Sequence, residues 1–138
     1  MRQAVGMLAV TTRRQGLLDI TADVTDWVTA QRLREGLLTV FCRHTSASLV
    51  IQENAAPAVR RDMEAYFNRI APESGVYEHD DEGPDDMPAH LKTALTGVQL
   101  SIPVIDGEPA LGTWQGIYLF EHRTHSHRRS LALHLIGA

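Results

Sequence analysis

Apolar and polar residues alternate loosely from Ala4 to Thr12, in a stretch rich in Val and Thr, and this pattern predicts a strand. Arg14-Gln15-Gly16 reads as a turn into a second strand, Leu17 to Thr21, so the two are expected to form a hairpin. Between Val24 and Glu35 the period lengthens: Val24, Trp27, Val28 and Leu33 fall near helical spacing, with Asp23 or Thr25 placed to cap the first turn and Gly36 to end the last. Leu37 to His44 returns to strand, with Leu38, Val40, Cys42 and His44 on one face and Leu37, Thr39, Phe41 and Arg43 on the other. Leu49-Val50-Ile51 is a further strand ending at Gln52-Glu53-Asn54.

The clearest helix starts near Pro57 and carries Val59, Met63, Tyr66, Phe67 and Ile70 on one stripe, which predicts core packing. Ala71 to Met87 is dense in Pro, Gly, Asp and Glu without a period and reads as a long surface loop. Pro88 starts a short helix through Leu95, closed by Gly97, and Asp106-Gly107 turns Val98 to Ile105 into a hairpin with the segment from Pro109. Trp114 to Arg123 and Ser130 to Ile136 are the last strands, joined by the polar connection Thr124 to Arg129 as a final hairpin. Seven or eight strands, three helices and no βαβ alternation predict an α+β fold with a mostly antiparallel sheet or sandwich.

Composition narrows the function classes. At 138 residues the chain is expected to form a single domain, residues 1–138, and its 43% apolar and 22% charged content is that of an ordinary globular protein. No apolar run reaches the length of a membrane span and no secretory pattern opens the chain, so a cytoplasmic protein is expected. A net charge of −4, with basic residues only in short pairs such as Arg13-Arg14, Arg60-Arg61 and Arg128-Arg129, argues against nucleic acid as a partner. The single cysteine, Cys42, lies in an apolar run and reads as a small buried hydrophobe.

Seven histidines are the candidate chemistry. His79 and His90 bracket the acidic stretch Asp80 to Asp86 and converge on a metal if the loop folds back on the helix that follows. His44-Thr45-Ser46 puts an imidazole and two hydroxyls at a strand end, a layout that binds an anion or positions a nucleophile, and that a buried, hydrogen-bonded histidine also produces. Ser46 lacks a G-x-S-x-G context, and no phosphate-loop or dinucleotide-binding glycine pattern occurs. His122, His125 and His127 read as solvated and His134 as core. On the Trp114 strand, Gln115, Ile117, Leu119 and Glu121 share a face, so a buried Glu121 requires an arginine or a metal as partner.

His44-Thr45-Ser46-Ala47-Ser48-Leu49, Glu53-Asn54, Tyr77 to His90 and Leu111-Gly112-Thr113-Trp114-Gln115 together resemble the YjbQ family over nearly the whole chain. The resemblance implies a compact α+β domain with a β-sandwich core, assembly as a homotrimer, a bound metal, and the weak thiamine-phosphate synthase activity from which the family takes a label. That reaction joins a pyrimidine diphosphate to a thiazole phosphate with loss of pyrophosphate. Residue by residue, His44, His79 and His90 match family histidines, Glu82, Gly83 and Asp85 match its acidic loop, and Gln115, Glu121 and Arg129 match polar positions of its last strands. Asp86 stands where the family usually has Asn, which adds a negative charge beside the site.

The expectation is therefore a polar pocket near each subunit contact. His44, His79 and His90 hold a divalent metal, zinc or magnesium, or a phosphate; His44, Ser46, Gln115 and Glu121 form the catalytic set; Thr45, Asn54, Asp85, Asp86, Trp114 and Arg129 bind a phosphorylated small molecule. The competing expectation is a non-catalytic metal- or anion-binding trimer.

Overall fold

Side-chain alternation along each strand decides which residues enter the core, and in a computed structural model describing residues 1–138 two antiparallel sheets bury those rows against each other. The strands are β1 (Arg2–Thr11), β2 (Gly16–Asp19), β3 (Gly36–Cys42), β4 (Ala47–Glu53), β5 (Gln99–Ile105), β6 (Glu108–Pro109), β7 (Gln115–Glu121) and β8 (Arg128–Gly137). The helices are α1 (Thr21–Ala30), α2 (Pro57–Ile70) and α3 (Asp86–Thr96). One sheet runs β1-β8-β3-β5-β6 and the other β2-β7-β4. Leu38 and Val40 of β3, Leu131, Leu133 and Leu135 of β8, and Leu49, Ile117 and Leu119 of the smaller sheet fill the space between, with Val24 and Val28 of α1 closing one side. This is the expected α+β sandwich.

Three expectations are corrected. β1 and β2 are not a hairpin, because β1 pairs with β8 and β2 with β7, so the turn at Arg14 carries the chain from one sheet to the other. β7 and β8 likewise lie in different sheets, and the connection between them crosses an end of the sandwich. Helix α1 begins at Thr21 rather than Val24, since Asp19 Oδ1 accepts from the Thr21 backbone N–H at 2.9 Å and ends the strand there. It stops at Ala30, and Arg32 follows in a left-handed conformation at φ 54°, ahead of Gly36.

Helix α2 has the predicted bounds, yet none of its residues is buried. Met63 and Phe67 pack on Leu17, Tyr118 and Phe120 against the outside of the smaller sheet, while Tyr66 and Ile70 are about half exposed. Strand β7 is consequently covered on both faces, Ile117 and Leu119 inward and Tyr118 and Phe120 under α2. The β5–β6 hairpin is as predicted: Asp106 and Gly107 take φ 52° and 83°, the pair of positive values that a two-residue turn demands.

The inward rows of four segments end in polar residues at one end of the sandwich. Val10 is followed two residues on by Thr12, Cys42 by His44, Leu119 by Glu121, and Leu131 is preceded by Arg129. The period that fills the core with aliphatic groups therefore delivers a cluster of hydrogen-bonding groups to its rim.

Candidate metal centre and its surroundings

Glu121 and Arg129 form the buried heart of that rim. Glu121 accepts from Thr12 Oγ1 at 2.6 Å, from Arg129 Nε at 2.8 Å, from Arg129 Nη2, and from the Arg123 backbone N–H at 3.2 Å. Burial alone raises the carboxyl pKa, but the hydrogen bonds from Arg129 and Thr12 outweigh it and hold Glu121 below its ordinary value. Arg129 Nη2 also donates to the Ser46 carbonyl at 3.2 Å and to Ser46 Oγ at 3.0 Å. Arginine is thus the partner that a buried Glu121 required, and Ser46 braces the pair rather than standing free as a nucleophile.

Arg123, which sequence reasoning passed over, ties this rim to the acidic loop. Its Nε donates to Asp85 Oδ2 at 2.8 Å, Nη1 to Asp86 Oδ1 at 2.8 Å, and Nη2 to the Glu82 carbonyl at 2.9 Å. Asp85 also accepts from the Thr124 backbone N–H at 2.9 Å; although burial works against ionisation, these donors bring the Asp85 carboxyl down to about 2. The loop turns through Gly83 at φ +99°, where a side chain is strained and its Cβ would meet Asp85 Oδ1 at 3.1 Å. An arginine two positions beyond a buried glutamate, at the end of a covered strand, was the available signal for this clamp.

Helix α3 starts at Asp86, so Asp86 and His90 lie one turn apart on the same face. His79 folds back from the loop to meet them, its ring centroid 5.7 Å from that of His90. Asp86 Oδ2 lies 2.8 Å from His79 Nε2 and 3.2 Å from His90 Nε2, and Glu82 Oε2 lies 3.0 Å from His79 Nε2. The hydrogen bond to Asp86, with Asp81 and Glu82 nearby, raises the His79 pKa above its usual value. For Asp86, burial is outweighed by the His79 hydrogen bond and the charges of His90 and Arg123, and its pKa falls.

The tautomer of His90 follows from its other nitrogen. Nδ1 lies 2.9 Å from the Thr45 carbonyl, which only accepts, so Nδ1 carries a proton and donates it. In a neutral ring Nε2 then presents a lone pair to Asp86 Oδ2, itself an acceptor. Two acceptors at 3.2 Å need a positive charge between them or on the ring. Two imidazoles and one carboxylate, with a backbone carbonyl orienting one imidazole from behind, fit a divalent cation with open coordination positions.

His44 does not join this group. Its Nε2 accepts from the Ser130 backbone N–H at 2.8 Å and its Nδ1 faces Arg129 Nη1 at 3.5 Å, while burial and the Arg129 charge lower its pKa. The three histidines expected to share a cation therefore do not gather in one group: His79 and His90 meet Asp86, and His44 lies apart from them. His44 and His90 nevertheless line the same open cleft of about 820 Å³, together with Phe41, Arg43, Thr45 and Thr93.

Gln115 and Glu121 do not flank one floor, since they occupy opposite ends of β7, about 20 Å apart at strand rise. Near Gln115, Asn54 Nδ2 donates to the Thr113 carbonyl at 3.2 Å, and Gln115 Oε1 accepts from the Gly112 backbone N–H at 2.7 Å. Asn54 and Gln115 thus stiffen a turn that leaves Trp114 64% exposed, away from the histidines. His122, expected in solvent, is buried, with Nε2 2.8 Å from Ser48 Oγ, and burial pushes its pKa down to about 3. His134, expected in the core, lies on the outer sheet face with Nε2 2.8 Å from Gln3 Oε1. Cys42 is the small buried group anticipated, its thiol raised to about 11 by burial.

Fold and site define an antiparallel α+β sandwich carrying a histidine-carboxylate cluster at the start of its third helix. The family described as UPF0047 protein YjbQ-like matches residues 7–138, and the chain belongs to that family. A UPF0047 protein of Synechocystis is 44% identical over 137 residues, covering 99% of this chain and 93% of the relative. The UPF0047 protein YjbQ of Salmonella typhimurium is 44% identical over 131 residues, 94% of this chain and 95% of the relative. Among solved structures, an uncharacterized yjbq/upf0047 family protein from Clostridium acetobutylicum superposes with a TM-score of 0.87 at 33% identity, covering 94% of this chain and 98% of its own. A hypothetical protein from Aeropyrum pernix does so with a TM-score of 0.88 at 30% identity, covering 98% and 99% respectively. No helix is long and apolar enough to cross a membrane.

Proposed function

We propose that the protein binds one divalent cation through His79, Asp86 and His90, and acts with it on a phosphorylated small molecule held in the adjoining cleft. The observation that carries this reading is the convergence of His79, Asp86 and His90, with Asp86 Oδ2 2.8 Å from His79 Nε2 and 3.2 Å from His90 Nε2 while the Thr45 carbonyl holds the His90 ring from behind. Two imidazoles beside one carboxylate suit zinc better than magnesium, which prefers oxygen ligands and water. When bound, such a cation supplies positive charge to phosphate oxygens, including those of a departing diphosphate, and so accords with the thiamine-phosphate synthase chemistry implied by the family resemblance. The chain's own contribution is positional: Arg123 fixes the two aspartates, and the Thr45 carbonyl fixes the His90 ring.

Elemental analysis of tag-free protein tests the cation, with one zinc per chain expected in the wild type and loss of it in His90→Ala. A zinc-free wild type that also fails to take up added zinc removes the reading. Turnover of pyrimidine diphosphate with thiazole phosphate, followed by pyrophosphate release, tests the enzyme form. A ligand-dependent rise in Tm without turnover across a panel of phosphorylated metabolites makes the protein a binding module instead.

The homotrimer that the resemblance implies has a surface suited to it. Val5, Met7, Leu37, Phe41, Ile105 and Ile136 are exposed on the outer face of the larger sheet, brought together by the register Met7↔Ala132↔Phe41 and Ile136↔Leu37. No helix covers them, and an apolar sheet face of this kind favours burial against another copy. Sedimentation velocity of the wild type and Phe41→Asp checks it: a trimer that Phe41→Asp dissociates is expected, and a monomeric wild type rejects it.

A further inference from the structure

His44 faces the cleft, yet the cation group does not use it, and its surroundings are the reverse of those at His90. The Ser130 backbone N–H can only donate, so His44 Nε2, 2.8 Å away, is an acceptor. A neutral ring then carries its proton on Nδ1. That N–H faces Arg129 Nη1 at 3.5 Å, and a guanidinium nitrogen has no lone pair to offer. Two donors therefore point at one another where a shared acceptor is missing.

The rest of Arg129 is fully engaged. Nε and Nη2 are held by Glu121 and Ser46, leaving Nη1 with no hydrogen-bond partner but the His44 ring. Arg129 is only 4% exposed, and at such burial a guanidinium donor that lacks an acceptor is costly. Glu121 already neutralises the guanidinium charge from the far side. The nearby charge left over is Arg43, exposed on the wall of the same cleft.

We propose that His44 Nδ1 and Arg129 Nη1 together bind one oxygen of an oxyanion, and that this is the phosphate end of the small molecule whose other end meets the cation group. An oxygen placed between the two nitrogens accepts from both and turns an unfavourable opposition into two hydrogen bonds, one of them charge-assisted. The remaining phosphate oxygens face the cleft, towards Arg43. The second half of this statement rests on the cation reading given above; the oxyanion site itself does not.

Calorimetric titration of inorganic phosphate into intact, tag-free protein tests it, with and without added zinc. His44→Gln is the informative variant, because the glutamine Oε1 reaches the place of Nε2, keeps an acceptor for the Ser130 N–H, and removes the Nδ1 proton. The wild type is expected to bind phosphate with a Kd of about 1 mM or tighter, and His44→Gln to weaken it by about tenfold or more at unchanged Tm and zinc content. His90→Ala is expected to lose zinc and keep phosphate. If zinc never loads while His44→Gln still abolishes phosphate binding, the cation reading fails and the oxyanion site stands. Acetate run beside phosphate separates a phosphate site from a carboxylate site, and acetate binding as tightly as phosphate overturns the phosphate assignment.

Equal phosphate affinity in wild type and a folded His44→Gln overturns the proposal, as does the absence of phosphate binding in the wild type. Should His44→Gln fail to fold, nitrogen NMR of the wild-type histidine rings decides. A protonated Nδ1 on His44 whose resonance moves on phosphate addition supports the site, and one that stays in place rejects it.

Discussion

The two charged clusters that meet at the end of β7 are built from similar parts and balance differently. Around Glu121 every carboxylate oxygen accepts from a fixed donor, Thr12, Arg123 or Arg129, and the cluster is almost wholly buried. Around Asp86 one oxygen is held by Arg123, but the other faces two imidazole nitrogens, at 2.8 and 3.2 Å, and the rings are part exposed. A carboxylate whose oxygens are all met by buried donors supports the fold; one that gathers part-exposed imidazoles is placed to share a cation with them.

The largest expected effect breaks the closed side. Arg129→Met leaves Glu121 buried without its cation and is expected to cost roughly 3–5 kcal/mol of unfolding free energy in urea melts. The double change Arg129→Met with Glu121→Leu removes both charges and is expected to recover most of that loss. If the single variant costs less than about 1 kcal/mol, the cluster is not the structural element described.

Acid separates the clusters next. His122 has its pKa lowered to about 3 by burial, so between the unfolded value near 6.5 and that figure the unfolded chain binds more protons than the folded one. Stability is therefore full above about pH 6.5 and falls as pH drops, by up to about 1.4 kcal/mol per pH unit. Glu121, with a lowered pKa, adds a second loss that begins only below its ordinary range near 4.5. Denaturant midpoints measured from pH 7 to 4 check the slope, and His122→Gln is expected to flatten its upper part. A midpoint constant over that range contradicts the burial argument.

On the open side, Asp86→Asn keeps the side-chain shape and an oxygen for Arg123 but removes the charge facing the imidazoles. Zinc affinity is expected to drop about 10- to 100-fold, equivalent to roughly 1.4–2.7 kcal/mol, with a much smaller change in Tm of the zinc-free protein. A large Tm loss with zinc affinity intact would reverse the roles assigned to the two clusters.

The difference between the clusters was only partly legible beforehand. Alternation placed Leu38, Val40, Cys42 and His44 in one row and correctly demanded a partner for a buried Glu121, because a strand's period fixes its faces. It does not fix which strands pair: β2 joins β7 rather than β1, and His122 is buried where a β7–β8 hairpin would leave it in solvent. His79 and His90 were legible as a pair through the acidic loop between them. That Asp86 and not His44 is the third member depends on where α3 begins, and the sequence signal there, Pro88, sits two residues inside the helix.

The smallest expected effect concerns the segment most distinctive in sequence. Trp114 is 64% exposed on a turn braced by Asn54 and Gln115, so Trp114→Ala removes little buried surface and leaves those hydrogen bonds in place. Its stability is expected to stay within about 0.5 kcal/mol of wild type, as for other surface changes. Zinc content is expected to be unchanged as well, because the length of β7 separates the turn from the cation group. Loss of zinc or of phosphate binding in Trp114→Ala would mean that the turn of one copy reaches the cleft of another, for within a single chain it does not.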